Sequence, residues 1–209
     1  MTTNFIVLEG MDGCGKSTQV KLLAERLYEH GHAVVTCYDP GTTVLSNELR
    51  DILKYRDDIK VTPFAEALLF LAARAQLIDE VIAPALQKGH VVICDRFDLS
   101  TYVYQPLGAG LTEHIIYQLG VVFQQVYSTS PLMTFVLDLP AHEALSRLHE
   151  KRDKIENRGV DYFGKVRARY QALAKQFHSD AAAFHIIDAA ACPADVHEQI
   201  WRLIPTTLK

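Results

Sequence analysis

Between the apolar run Phe5-Ile6-Val7-Leu8 and a segment of helical periodicity lies Gly10-Met11-Asp12-Gly13-Cys14-Gly15-Lys16-Ser17-Thr18. Gly, four residues, Gly, Lys and then Ser is the spacing of a loop that curls around phosphate, aiming successive backbone N–H groups at anionic oxygens. Gly10, Gly13 and Gly15 permit the curl, and Lys16 reaches the outer phosphates as a point charge. The Ser17 hydroxyl is suited to Mg²⁺, and the helix that follows the loop favours the same anion with its N-terminal dipole. A second constellation, Asp95-Arg96, follows the apolar run Val91-Val92-Ile93-Cys94. Asp95 suits a water-mediated Mg²⁺ contact, and Arg96 can grip a second phosphate as a bidentate fork.

These groups need a scaffold that brings strand ends together. Phe5–Glu9, Ala33–Cys37, Val91–Cys94, Met133–Leu137 and Phe184–Ile187 read as five strands. Helical spacing predicts helices over Lys16–His30, capped by Gly31, then Leu45–Leu53, Leu111–Val126, Ala141–Glu150, Val160–His178 and Pro193–Leu203. A further long helix runs from Pro63 through Ile82. Alternation of strand and helix predicts an α/β fold, a three-layer sandwich with a five-stranded parallel sheet flanked by helices. Ligands of such sheets gather at the carboxyl ends of the strands, where both constellations lie. The long helix is apolar around more than one stripe, which makes it the candidate subunit interface of a homodimer.

With 209 residues, 49% apolar and 22% charged, the chain fits one domain spanning 1–209. A net charge of −4 argues against a nucleic-acid partner, which would require a basic excess. Cys14, Cys37, Cys94 and Cys192 lie far apart with no CxxC pair, so a zinc site and a disulfide framework are not indicated, and reduced thiols in the cytoplasm are expected. No run approaches the length of a membrane span, so no membrane partner is expected. Residues 147–158 are dense in charge and nearly free of apolar anchors, and a lid over about 147–160 is expected to be mobile without ligand.

Together the phosphate loop, Phe70-Leu71-Ala72-Ala73-Arg74-Ala75-Gln76, and Asp95-Arg96-Phe97-Asp98-Leu99-Ser100-Thr101-Tyr102-Val103-Tyr104-Gln105 resemble the thymidylate kinases, P-loop NTPase-type nucleoside monophosphate kinases that transfer the γ-phosphoryl group of ATP to dTMP. The resemblance extends from Phe5 to about Ile204. It implies ATP and Mg²⁺ as cofactors, dTMP as acceptor, donor contacts from Gly10 to Thr18, and Ser17 and Asp95 near the metal. It further implies Phe70 against the thymine ring, Arg74 at the base edge and Asp12 at the 3′-hydroxyl. Arg96 and Arg50 would hold the acceptor phosphate, with Ser100, Thr101, Tyr104 and Gln105 around base and sugar and Tyr104 crowding a 2′-hydroxyl.

Phosphoryl transfer is catalysed by positioning and charge stabilisation, so a cation must also cover the transferring group. The loop between Gly10 and Gly15 holds no Arg, whereas residues 147–154 hold Arg147, Lys151, Arg152 and Lys154. The chain thus resembles the bacterial type in which the lid supplies that cation, with Arg152 and Arg147 as candidates and Glu156 as their orienting carboxylate. It departs from the family at Tyr38 and Thr42, where Arg and Gly are usual, at Pro106 in place of Gly, and at Lys154 in place of Arg. At this point a kinase for another pyrimidine deoxynucleotide and a non-catalytic ATP-binding switch remain alternatives.

Overall fold

A computed structural model describes residues 4–148, 153–178 and 183–209. Strands β1 (Phe5–Glu9), β2 (Val34–Tyr38), β3 (Val91–Asp95), β4 (Met133–Asp138) and β5 (Ala183–Asp188) form a sheet in the order β2-β3-β1-β4-β5, parallel throughout. Both faces are covered, so the strands are continuous apolar runs whose side chains alternate between two cores. Ile6, Leu8, Ile93 and Phe135 face one core, built with α1 (Lys16–Glu29), α8 (Gly159–Phe177) and α9 (Pro193–Leu203). Phe5, Val7, Val92 and Cys94 face the other, which includes Leu77, Ile78 and Ile82. Burying a side chain such as Leu23 or Leu27 of α1 contributes about 2 kcal/mol, which anchors the helix behind the phosphate loop.

Local signals set most boundaries. Gly31, at φ +86°, ends α1, and Pro193 opens α9. The Thr43 hydroxyl accepts the Ser46 N–H at the start of α2 (Val44–Lys54), and Thr112 does the same for Ile115 at the start of α6 (Glu113–Val126).

The long helix expected through Ile82 is divided. After α3 (Pro63–Leu77) comes a π-helical turn, Ile78–Ile82, and then α4 (Ala83–Gln87). Pro84 is the cause: it has no N–H to give an i−4 carbonyl, and the register shifts by one residue to accommodate it. The second difference is α5 (Asp98–Tyr104), which continues into a π-turn at Gln105–Ala109 where no helix was expected. Its Ser, Thr, Val and Tyr content is weakly helical, but Leu99 and Val103 are buried at i, i+4 and hold it to the core. The helix expected over Ala141–Glu150 is described as α7 (Ala141–Ser146), with Arg147 at its C-cap.

Candidate active site

The carboxyl ends of β1, β2, β3 and β5 open into one cleft of about 1150 Å³. The loop after β1 forms its floor. Gly10 and Gly13 have φ of +130° and +82°, and a Cβ at Gly13 would stand 2.1 Å from the Ala144 carbonyl oxygen, so the loop is seated too closely on α7 for any side chain. The Lys16 ammonium donates to the Met11 carbonyl at 2.9 Å, across the hollow of the loop. Burial pushes the Cys14 thiol up despite Lys16 nearby, so this cysteine is a small packed residue rather than a thiolate.

Ser17 Oγ donates to Asp95 Oδ2 at 2.8 Å, joining the first turn of α1 to the end of β3. A hydroxyl and one carboxylate at a phosphate loop are the donor set of a hard cation that takes its remaining ligands from phosphate and water. Among the described residues no cluster of three acidic, His or Cys side chains offers a cage of its own.

Arg96 sits immediately beyond β3 with φ +71°, a conformation unfavourable for a residue with a side chain. The turn swings its guanidinium back across the loop. Nη2 donates to Asp12 Oδ1 at 2.8 Å, and Nη1 to the Gly10 carbonyl at 2.7 Å and Tyr170 Oη at 3.0 Å. Burial alone would raise the Asp12 carboxyl, but Arg96, then Lys16 and Lys54, outweigh it and hold Asp12 well below the usual carboxylate range. Behind Arg96, the fully buried Glu9 accepts the Phe97 N–H at 2.8 Å, the Ser100 N–H at 3.1 Å, Ser100 Oγ at 2.7 Å and the Tyr170 hydroxyl at 3.0 Å. Burial pushes the Glu9 carboxyl up against the pull of Arg96. One carboxylate therefore fixes the start of α5 and two neighbours of Arg96.

Deeper in the cleft, Arg74 Nε donates to Asp39 Oδ2 at 2.6 Å, and its Nη2 to the Phe97 carbonyl and Thr101 Oγ1. Both partners are almost wholly buried. Asp39 Oδ1, the Tyr104 hydroxyl and Gln105 Oε1 are buried without a hydrogen-bond partner, and all three residues line the cleft. Phe70 lies on the same wall. At the opposite end, Thr18, Gln19 and Val20 face the loop after β5, Ala189–Pro193, and Gln19 Oε1 is likewise buried and unpaired.

Of the residues singled out by sequence, Asp12 to Thr18, Arg50, Phe70, Arg74, Asp95, Arg96, Ser100, Thr101, Tyr104, Gln105 and Arg147 all line this cleft. Arg152 lies outside the described residues, as does Lys151. Lys154 is not on the cleft wall: its ammonium donates to the Arg56 carbonyl and lies 3.7 Å from Asp57. Glu156 lines the cleft, and its Oε2 accepts the Asp153 N–H at 3.0 Å. Within the charged segment, Asp153 is buried against Lys54. Sequence reasoning missed Glu9, Asp39, Tyr170 and Gln19. Glu9, an acidic residue closing an all-apolar strand, was the one with a visible signal.

A phosphate loop and a second set of cations on one cleft of a parallel sheet define a nucleotide-dependent phosphotransferase of the P-loop type. Comparison with known proteins is more specific. The family model for thymidylate kinase matches residues 8–200. The thymidylate kinase of Syntrophus aciditrophicus is 39% identical over 95% of this chain and 92% of its own length, and that of Pseudomonas savastanoi pv. phaseolicola is 40% identical over 100% and 98%. The crystal structure of thymidylate kinase from Ehrlichia chaffeensis superimposes with a TM-score of 0.75 at 28% identity, covering 96% of this chain and 98% of that one. The chain belongs to the thymidylate kinase family.

Proposed function

We propose that the cleft holds ATP at the phosphate loop and dTMP against Arg96, Arg50 and Arg74, and that the chain transfers the γ-phosphoryl group to give dTDP. The observation that carries this reading is the pair of cationic sets facing one space: Lys16 with the α1 N-terminus on one side, Arg96 and Arg50 on the other. Two polyanions repel, and their close approach requires compensating charge on both. An ATP-binding switch has no use for the second set.

The chain's groups work by position. Lys16 and the loop N–H groups neutralise the donor phosphates, and Arg96 presents its fork to the acceptor phosphate. Asp12 meets the sugar hydroxyl with the oxygen not bound to Arg96. Arg74, fixed by Asp39 and Thr101, faces the base edge. Tyr104, Gln105 and Phe70 line the cleft beside Arg74, which supports a base and deoxyribose lying there with Phe70 on the ring. Ser17 and Asp95 would hold Mg²⁺, which supplies charge neutralisation at the β and γ phosphates when bound. Arg147 serves as the cleft's cation over the transferring group, with Arg152 as its candidate companion.

Further parts of the reading are a single functional domain over 1–209, a homodimer and a cytoplasmic location. No described helix is long and apolar enough to cross a membrane. Phe64 and Leu68 of α3, with Tyr117, Val122 and Val126 of α6, are exposed apolar side chains that support association through these helices. Sedimentation equilibrium checks this: a dimer mass supports the interface and a monomer mass removes it. The catalytic reading is tested with Arg96→Ala, which should retain ATP binding by calorimetry while dTMP phosphorylation is lost. Unchanged turnover would remove Arg96 from the acceptor site.

A further inference from the structure

Helix α2 reaches the cleft at two points one turn apart, Arg50 and Lys54. The Lys54 ammonium lies 2.6 Å from Asp153 Oδ2, with the two side chains only 11% and 2% exposed. The other Asp153 oxygen accepts the N–H groups of Ile155 and Glu156 at 2.8 and 2.9 Å, while Glu156 Oε2 accepts the Asp153 N–H. This reciprocal set caps the turn Glu156–Arg158 that leads into α8. The Lys154 N–H adds a bond to the Lys54 carbonyl at 3.3 Å. The segment is thus fastened to the end of α2, and its Ile155 and Glu156 form cleft wall.

A charge pair withdrawn from water is no stronger a fastener than a well-packed apolar pair, because desolvation offsets most of its attraction. What it adds is register: one ammonium, one carboxylate oxygen, and a second oxygen already committed to the turn. Arg50, on the same helix, donates to the Pro40 carbonyl at 2.9 Å and is held on its own side of the cleft.

We infer that Lys54 is a positioning residue: through Asp153 it sets the wall formed by Ile155 and Glu156 at a fixed distance from Arg50, and so sets the width of the cleft at the acceptor nucleotide. This rests on the reading of that end of the cleft as the dTMP site. The Lys54 ammonium is committed to Asp153, and its effect falls on dTMP affinity and not on the donor.

The test is calorimetric binding of dTMP and of ADP, with thermal midpoints, for wild type, Lys54→Met, Asp153→Asn, Lys54→Arg, and Lys54→Met combined with Asp153→Asn. Each neutralising single variant should weaken dTMP about ten- to a hundredfold and leave ADP within about twofold. Lys54→Arg, which keeps the charge, should recover most of the loss. The doubly neutral variant should regain the thermal midpoint lost by the singles while its dTMP affinity stays low. If dTMP affinity is unchanged in the singles, or rises with the midpoint in the double variant, Lys54 is only structural and the inference is overturned. A wild-type chain that binds ADP and not dTMP would instead overturn the reading of the site itself.

Discussion

Arg96 Nη2 and Asp12 Oδ1 meet at 2.8 Å, so the group proposed to hold the acceptor phosphate is tied directly to the phosphate loop. The loop and the end of β3 act as one unit, with Arg96 held in a left-handed backbone conformation to make the contact. An Arg at this position is fixed on the Asp12 side and presents its remaining donors to a ligand. Lys has no fork with which to do both. Arg96→Lys should therefore lower kcat/KM for dTMP about a hundredfold or more, with KM for ATP little changed; a loss under tenfold would contradict the bidentate role.

The same pair makes stability depend on pH. Asp12 is held below its unfolded value of about 3.9, so its contribution is fully present above that value and is lost as pH falls through the folded value. Urea unfolding of wild type and Asp12→Asn should show a stability gap at pH 6 that narrows at pH 3. A gap that stays constant would mean that the Asp12 charge does not stabilise the fold.

Glu9 holds the Phe97 and Ser100 N–H groups on one oxygen and two hydroxyls on the other. Glu9→Gln keeps the shape but places an NH₂ where an acceptor is needed. Arg96 then loses the frame set by Ser100 and Tyr170. We expect kcat/KM for dTMP to fall about a hundredfold while ATP binding is kept, measured by steady-state kinetics and ATP calorimetry. Equal losses for both substrates would point to global damage.

Asp39→Asn leaves the buried Arg74 guanidinium without its charge partner. Removing one member of a buried pair costs about 3–5 kcal/mol, to be read by denaturant unfolding. A cost under about 1 kcal/mol would mean that the pair behaves as a solvated surface bridge. On the proposed reading, in which Arg74 meets the base edge, dTMP affinity should fall with it.

Thr42 stands where Gly is usual in the family and has φ +74°. Its hydroxyl compensates by accepting the Tyr38 N–H at 2.9 Å and donating to the Tyr38 carbonyl at 3.2 Å. Thr42→Ala keeps the unfavourable φ and loses both bonds, whereas Thr42→Gly loses the bonds and relieves the backbone. Ala should therefore be the less stable of the two by about 1 kcal/mol in thermal or urea unfolding. The reverse order would show that a side chain in the left-handed conformation costs nothing at this turn.

The phosphate loop and all five strands were legible because their signals are local: fixed spacing, glycines that permit a curl, and apolar runs of strand length; Arg74 and Arg96 stood out only through the resemblance to the thymidylate kinases. The partners of Glu9 and Tyr170 were not legible, since they are separated by up to 161 residues. Asp153 looked solvated for the same reason, because Lys54 lies far away on another helix. The α5 helix was hidden by weakly helical residues that only tertiary burial of Leu99 and Val103 makes helical. The division after α3 was readable in principle from Pro84. Gln19 and the loop after β5 carry no motif, and only the cleft itself brings them together.

The central claim is that the space between the phosphate loop and Arg74 accepts thymidine monophosphate and phosphorylates it. Diphosphate formation from Mg-ATP with dTMP, dUMP, dCMP and dGMP, measured side by side on the purified chain, tests it most directly. The account predicts dTDP as the product formed with the highest kcat/KM. Another nucleotide ranking above dTMP, or ATP binding with no diphosphate from any of the four, would contradict it.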